Sequence, residues 1–316
     1  MSHASTLFHE FVSTDGADLP LPGSGQTWRR FSSFAHWASK DLSVGRLCEG
    51  HGDALSILAE AGTHPKEQAT YGVWASRSAV GGTFAERVPG GWRLRGSKSF
   101  CSGSGIIERA LVTADSKEGY LLFDVAVDEQ VTEIVPNSWP AVGMAESMSE
   151  TLEFGGPIIP DDQLVGWPEF YTRRPGFWFG AAGVAACWYG GAVGLVNSLT
   201  EGLAAQPNEH VMADVGEAVV ALETMRQVLR VVADAIDDDP RDDGRHAHFQ
   251  TLVARHVVHD SAEKVLSCVA SAGGARPLCH DGDQARRVAD LYVYLSQHHG
   301  RADAAELGRI VTEGRS

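Results

Sequence analysis

The sequence predicts an α+β fold with N-terminal helices, a central antiparallel β domain and a C-terminal four-helix bundle. Three observations predict it. Apolar residues recur at three- and four-residue steps over residues 1–69. They give way to short runs of β-formers between turn residues over 70–167. Helical spacing then returns over 168–316. These three segments are the expected domains, since 316 residues exceed one small core.

In the first segment Phe34, Trp37, Leu42, Leu47, Leu55 and Leu58 mark one helical pattern from Ser33 to Leu58. Pro20, Pro22, Gly23 and Gly25 form a breaker cluster before it. In the second, the turn at Pro89–Gly91 leads into the alternating Gly91-Trp-Arg-Leu-Arg. The runs beginning at Ala110, Tyr120 and Thr151 are short, β-rich and bounded by Gly, Asp or Ser. Short strands joined by turns argue against a doubly wound parallel sheet.

Four helical patterns fill the third segment. They run over 177–200, 215–236, 249–272 and 288–310. The second places Val219, Leu222, Met225, Val228, Leu229, Val232 and Ile236 on one stripe, and the acidic run from Asp237 to Asp243 ends it as a solvated turn. The first carries Phe177, Trp178, Phe179, Trp188 and Tyr189, more aromatic area than one helix face buries internally, so a homo-oligomer is expected. Its glycines and alanines suit close packing in water better than a membrane span.

The charge balance, Lys+Arg 26 against Asp+Glu 41, gives a formal net charge of −15. That disfavours nucleic acid or an anionic membrane surface as partner and leaves a small-molecule substrate. Five scattered cysteines without a CxxC pair signal neither a disulfide framework nor a zinc site, and a cytoplasmic location fits them. The opening residues lack a basic stretch followed by an apolar run, so no signal peptide is expected there.

Most chemical motifs are missing. Gly23-Ser-Gly25 lacks the third glycine and the strand of a dinucleotide fingerprint, and no P-loop, HExxH or GxSxG occurs. His256 and His259 stand three residues apart without an acidic partner motif, which favours helix packing over metal binding. His246 and His248 read as solvated. The segment Gly96–Gly105 stands out. A strand ending in Phe100 and followed by Ser102 and glycines offers a flat apolar face, a hydroxyl and free backbone N–H groups. That combination suits a planar heteroaromatic ring with polar edges, and a glycine-rich turn is the plainer reading.

Several segments carry a family likeness in order. Gly91-Trp-Arg-Leu-Arg-Gly-Ser-Lys-Ser-Phe-Cys-Ser resembles the Gly-x-Lys-x-(aromatic)-x-(Ser/Thr) strand of acyl-CoA dehydrogenases. Gly143-Met-Ala-Glu-Ser-Met-Ser resembles that superfamily's hairpin, and Ile159-Pro through Leu164-Val-Gly its exit. Ala181-Ala-Gly-Val-Ala resembles the start of its first bundle helix, Ala272-Gly-Gly-Ala its late turn, and Asp290-Leu the opening of a late helix. The likeness spans about residue 40 to the C-terminus.

The resemblance implies FAD as cofactor. It sets Phe100 against the flavin ring, Ser102 at its reactive edge, Trp74 in the place of a threonine that contacts the pyrimidine, and Gly273 and Gly274 in a turn approaching the phosphates. It implies an acyl-CoA dehydrogenase-like oxidoreductase acting on an acyl thioester. Yet the two positions that would supply the catalytic glutamate fall at His298 and Gly176. Flavin-dependent monooxygenases of the same fold lack that glutamate and carry a histidine in the C-terminal helix, so His298 or His299 becomes the candidate base. The further alternative is a non-catalytic paralogue acting as a subunit.

Overall fold

The computed structural model describes residues 2–77, 82–203 and 205–313. In chain order the elements are α1 (His3–Ser13), α2 (Thr27–Lys40), α3 (Leu42–Glu60), β1 (Tyr71–Trp74), β2 (Thr83–Val88), β3 (Gly91–Cys101), β4 (Arg109–Ser116) and β5 (Gly119–Ala126). There follow α4 (Val127–Gln130), β6 (Val131–Ile134), β7 (Glu150–Phe154), α5 (Phe170–Arg173), α6 (Gly176–Glu201) and α7 (Glu209–Asp238). The chain ends with α8 (His246–Gly273), α9 (Ala275–His280), α10 (Gly282–Leu295) and α11 (Gly300–Glu313). An α+β fold is what the periodicity predicted.

Two compact units form. The first comprises residues 1–17, 47–140 and 145–177. Its seven-stranded sheet runs β1-β4-β2-β3-β7-β6, with β5 also on β4. The expected antiparallel pairing holds for β2·β3, β3·β7, β4·β5 and β6·β7. The sheet is nevertheless mixed, because β1 runs parallel to β4 and β2 meets β4 in parallel at Phe84 and Asp115. β4 and β5 are buried along nearly their whole length, so both faces are covered. Ala54, Ile57 and Leu58 of α3 pack on Tyr71, Val73, Leu111, Leu122 and Phe170. Buried Arg174 reaches Glu60 at 3.0 Å and Asp53 at 3.4 Å, and Glu60 also accepts the N–H of Gly176 at 3.1 Å.

The second unit comprises residues 18–46, 141–144 and 178–316. The single pattern read over Ser33–Leu58 is two helices. Asp41 ends α2, and its carboxylate accepts the N–H groups of Ser43 and Val44 to start α3. The acidic run that begins in the last turn of α7 is likewise more than a solvated turn. Asp237 accepts from Gly25 N, Thr27 N and Thr27 Oγ1, capping α2, which has no side-chain cap of its own. On α7 the buried stripe is Ala218, Ala221, Met225, Leu229, Val232 and Ile236, while Val219 is exposed. α7 packs chiefly against α8.

α6 is long and apolar enough to cross a membrane, and 72% of its most apolar window is buried inside the protein. A Cβ at Gly190 would fall 2.3 Å from the carbonyl oxygen of Ala35, so the expected close packing requires glycine there. The aromatics behind the oligomer expectation are partly covered within the chain itself. Phe179 and Trp188 are buried within the chain, and Phe177, Trp178 and Tyr189 are half-buried.

The fourth predicted helix, 288–310, is broken. α10 starts earlier, at Gly282 behind the N-cap Asp281, and ends at Leu295. α11 starts at Gly300. Asp290 therefore lies inside α10 rather than opening a helix, buried and paired with Arg286 at 3.3 Å. His298 and His299 occupy the break, not a helix face.

Candidate functional site

Each unit carries one cluster of chemical interest. In the first it forms where β3 ends. The β3·β7 register shifts between Lys98 and Cys101, a bulge that turns the side chains between them. Phe100 sits in this bulge with φ of +61°, a region that L-residues other than Asn and Asp rarely occupy. Its ring is 61% exposed and meets Trp139 edge-on, with centroids 6.3 Å apart. It is not a core phenylalanine. A large apolar side chain held outward in a costly backbone conformation is the pattern of a ligand contact.

Around Phe100 the chain is tightly held. Lys98 is buried, donates to Ser76 O at 3.1 Å and Thr113 Oγ1 at 3.0 Å, and is pushed down to about 8 by burial. Ser102 N donates to Phe100 O at 3.0 Å. Trp74 is buried and its indole N–H donates to Ser102 O at 3.0 Å. Trp74 thus supports Ser102 from within the core, with its one polar atom already engaged. The Ser102 hydroxyl lies 2.8 Å from that of Ser149, which lies 2.9 Å from that of Ser147. Sequence reasoning placed Ser147 and Ser149 in the hairpin motif without giving them a role. Only the fold brings them to Ser102.

In the second unit, Gly273 ends α8 and Gly274 follows with φ of +58°, its N–H on Ala270 O. A Cβ on Gly274 would meet nothing within 4 Å, so the turn is a helix C-cap with its backbone uncovered.

The break between α10 and α11 turns His298 inward and leaves His299 exposed. The His298 side chain is 5% exposed. Its ring lies 4.6 Å from His256, 4.7 Å from His259 and 5.9 Å from Trp188, measured between centroids. Burial, then the neighbouring Arg255, His259 and His256, push His298 down to about 4 against an opposing pull from Asp303. The ring is therefore neutral at pH 7, and its Nδ1 is buried without a hydrogen bond. Gly300 makes room for it, since a Cβ there would fall 3.1 Å from His298 Nε2.

His256, His298 and Asp303 offer ligand atoms within 4.8 Å of one another, as a metal site would. Two features weigh against one. Arg255 Nε already stands 3.5 Å from the Asp303 carboxylate, and both His256 nitrogens face carbonyls, of Leu252 at 3.2 Å and Gly300 at 3.0 Å. Asp303 and Arg255 escaped the sequence reading, although Asp303 follows His298 by five residues and Arg255 adjoins His256. His248 is also not solvated. It is buried and stacks on Trp178 at 3.9 Å.

The other position expected for a carboxylate, Gly176, is a glycine where a side chain would have to displace the ends of Arg174 and Glu60. A Cβ there would fall 2.4 Å from Arg174 Nη1 and 2.5 Å from Glu60 Oε2.

Neither a protein-family model nor a curated protein matches the chain. Solved structures do match in fold. Dibenzothiophene monooxygenase TdsC of Paenibacillus sp. A11-2, solved with FMN and indole, superposes with a TM-score of 0.78 at 19% identity, over 97% of this chain and 94% of that one. Methanesulfinate monooxygenase MsuC of Pseudomonas fluorescens gives 0.80 at 16% identity, over 99% and 97%. XiaF of Streptomyces sp., solved with FADH2 and glycerol, gives 0.71 at 16% identity, over 90% and 80%. The chain has the acyl-CoA dehydrogenase-like fold of these proteins.

Proposed function

We propose that this protein is a flavin-dependent monooxygenase acting on a small organic molecule. One observation favours it over an acyl-CoA dehydrogenase: at the two positions where the resemblance puts the dehydrogenase carboxylate, the chain has a buried, neutral imidazole, His298, and a glycine, Gly176. Without a carboxylate base the α-proton of a thioester has no acceptor of the usual kind. Two of the fold-mates, monooxygenases by name, support the same choice.

The residues at the end of β3 suit a flavin. An exposed Phe100 ring edged by Trp139 matches an apolar ring face, and the Ser102 hydroxyl, fixed by Ser149 and by Trp74 behind it, matches a polar ring edge. The uncovered backbone at Gly273–Gly274 is proposed to approach phosphate, which favours FAD; one fold-mate holds FMN and another FADH2. A reduced flavin supplies two electrons and, with O2, the oxygen atom transferred to the substrate. Within the first unit the chain's part is to seat the ring through Phe100 and to orient it through Ser102; within the second, neutral His298 is the candidate base.

Titration of the purified protein with FMN and with FAD, read by flavin fluorescence, tests the first step. Saturable binding of at least one, weakened in Phe100→Ala, is expected. A protein that binds neither is not a flavoenzyme, and the subunit alternative then stands.

A further inference from the structure

The His298 ring is gripped on three sides, and its Nδ1 is left without a hydrogen-bond partner. Among the described residues, Asp303 is the carboxylate that faces it, with Oδ2 3.6 Å from Nδ1. That is just beyond hydrogen-bond distance, so the carboxylate faces Nδ1 without a formed bond in this structure. The carboxylate is itself held in place. Arg255 Nε lies 3.5 Å from Oδ2, Arg255 Nη1 donates to Ala181 O at 3.0 Å, and the guanidinium stacks 4.8 Å above Trp188. His256 Nε2 is bonded to Gly300 O, which fixes the start of the helix that carries Asp303. The result is an ordered chain, Ala181 carbonyl to Arg255 to Asp303 to His298, all within the second unit.

We propose that Asp303 is a positioning residue that holds the proton of His298 on Nδ1 and so leaves Nε2 as the basic nitrogen. The inference rests on the monooxygenase reading for its catalytic consequence only; the tautomer itself does not depend on it. In the neutral ring one nitrogen carries the proton and the other a lone pair, and the hydrogen bond to one decides the role of the other. With Nδ1–H donating to Asp303, Nε2 accepts the substrate's proton: the substrate X–H bond breaks, an Nε2–H bond forms, and the proton later leaves to solvent. The imidazolium so formed faces Arg255, His256 and His259 from α8, which oppose it, and Asp303 from α11, which supports it. Asp303 therefore both orients the base and offsets the charge it acquires.

The test is the tautomer of His298, read from nitrogen-15 shifts and long-range proton correlations of the full chain labelled at histidine. The His298 signal is assigned by its loss in His298→Gln. The wild type should show the Nδ1–H form, and Asp303→Asn should convert it wholly or largely to the Nε2–H form, because an asparagine amide can donate to Nδ1. Asp303→Glu, which keeps the charge, should restore the wild-type pattern. Turnover in Asp303→Asn should fall tenfold to a hundredfold in kcat with KM little changed, on the order of a misoriented general base. An Nε2–H tautomer in the wild type, or an unchanged tautomer in Asp303→Asn, overturns the proposal. Should Asp303→Asn not fold, the wild-type spectrum alone decides. Absence of monooxygenase turnover in the wild type counts against the functional reading and leaves the tautomer result intact.

Discussion

The indole N–H of Trp74 donates to the carbonyl oxygen of Ser102 across 3.0 Å, tying the buried end of β1 to the turn that follows β3. This single bond makes a core residue part of the geometry proposed to face the flavin. Trp74→Phe keeps most of the apolar volume and leaves the Ser102 carbonyl unsatisfied. A loss of about 1–3 kcal/mol in stability is expected, with weaker flavin binding because the Ser102 turn is released. Denaturant melts and flavin titration of the same preparation measure both. An unchanged affinity would detach Trp74 from the site.

Phe100 makes two opposite demands. Its left-handed backbone costs about 1–2 kcal/mol that glycine does not incur, and its exposed ring contributes little to the core. Phe100→Gly should therefore stabilise the flavin-free protein while weakening flavin binding roughly tenfold, the scale of one aromatic contact. Phe100→Ala should weaken binding without the stabilisation. A destabilised Phe100→Gly would mean that the ring serves the fold.

Arg174 is buried against Asp53 and Glu60, beside the start of α6. Removing it strands two carboxylates. Arg174→Met should cost about 3–5 kcal/mol, and a second change, Glu60→Gln, should recover part of that loss. Additive losses in the double variant would show that the pairing carries no coupling.

His298 gives the protein a pH dependence of known sign. Its folded value of about 4 lies below the ordinary 6.5 because burial disfavours the charged ring. Between these values the unfolded chain binds a proton that the folded chain refuses, so stability is fully present above pH 6.5 and is lost as pH falls toward 4. The contribution is on the order of 3 kcal/mol. His248 is shifted in the same direction by burial. The comparison that isolates His298 is the stability difference between wild type and His298→Gln, measured near neutrality and again close to the folded value of about 4. The difference should shrink at the lower pH, and a constant difference would place His298 outside this balance.

The order of helices, strands and helices was legible because periodicity survives in single segments: Gly91-Trp-Arg-Leu-Arg alternates, and 215–236 keeps a helical stripe. What failed depended on partners far away in sequence. Val219 reads as core by spacing, yet it is exposed while Ala218 and Ala221 beside it are buried. His248 looked solvated because its neighbours are polar, yet Trp178 covers it. The 288–310 pattern gave no warning that the chain breaks between Leu295 and Gly300, although Ser296 and Gly300 are weak helix formers. Phe100 and Ser102 were legible as a pair. Their fixing by Trp74 and Ser149, and the setting of His298 by Asp303, needed the fold.

Oxygen transfer to a small organic molecule is what separates a monooxygenase from a dehydrogenase, and incorporation of labelled oxygen measures it most directly. The protein is supplied with reduced FMN or FAD, 18O2 and a panel of heteroaromatic and organosulfur compounds, chosen because fold-mates bind indole or oxidise dibenzothiophene and methanesulfinate by name. One 18O atom should appear in a product only when protein, reduced flavin and oxygen are all present, and yield should collapse in His298→Gln. If instead the oxidised flavin is reduced by an acyl thioester without oxygen, and no labelled product forms with any compound, the protein is a dehydrogenase and not a monooxygenase.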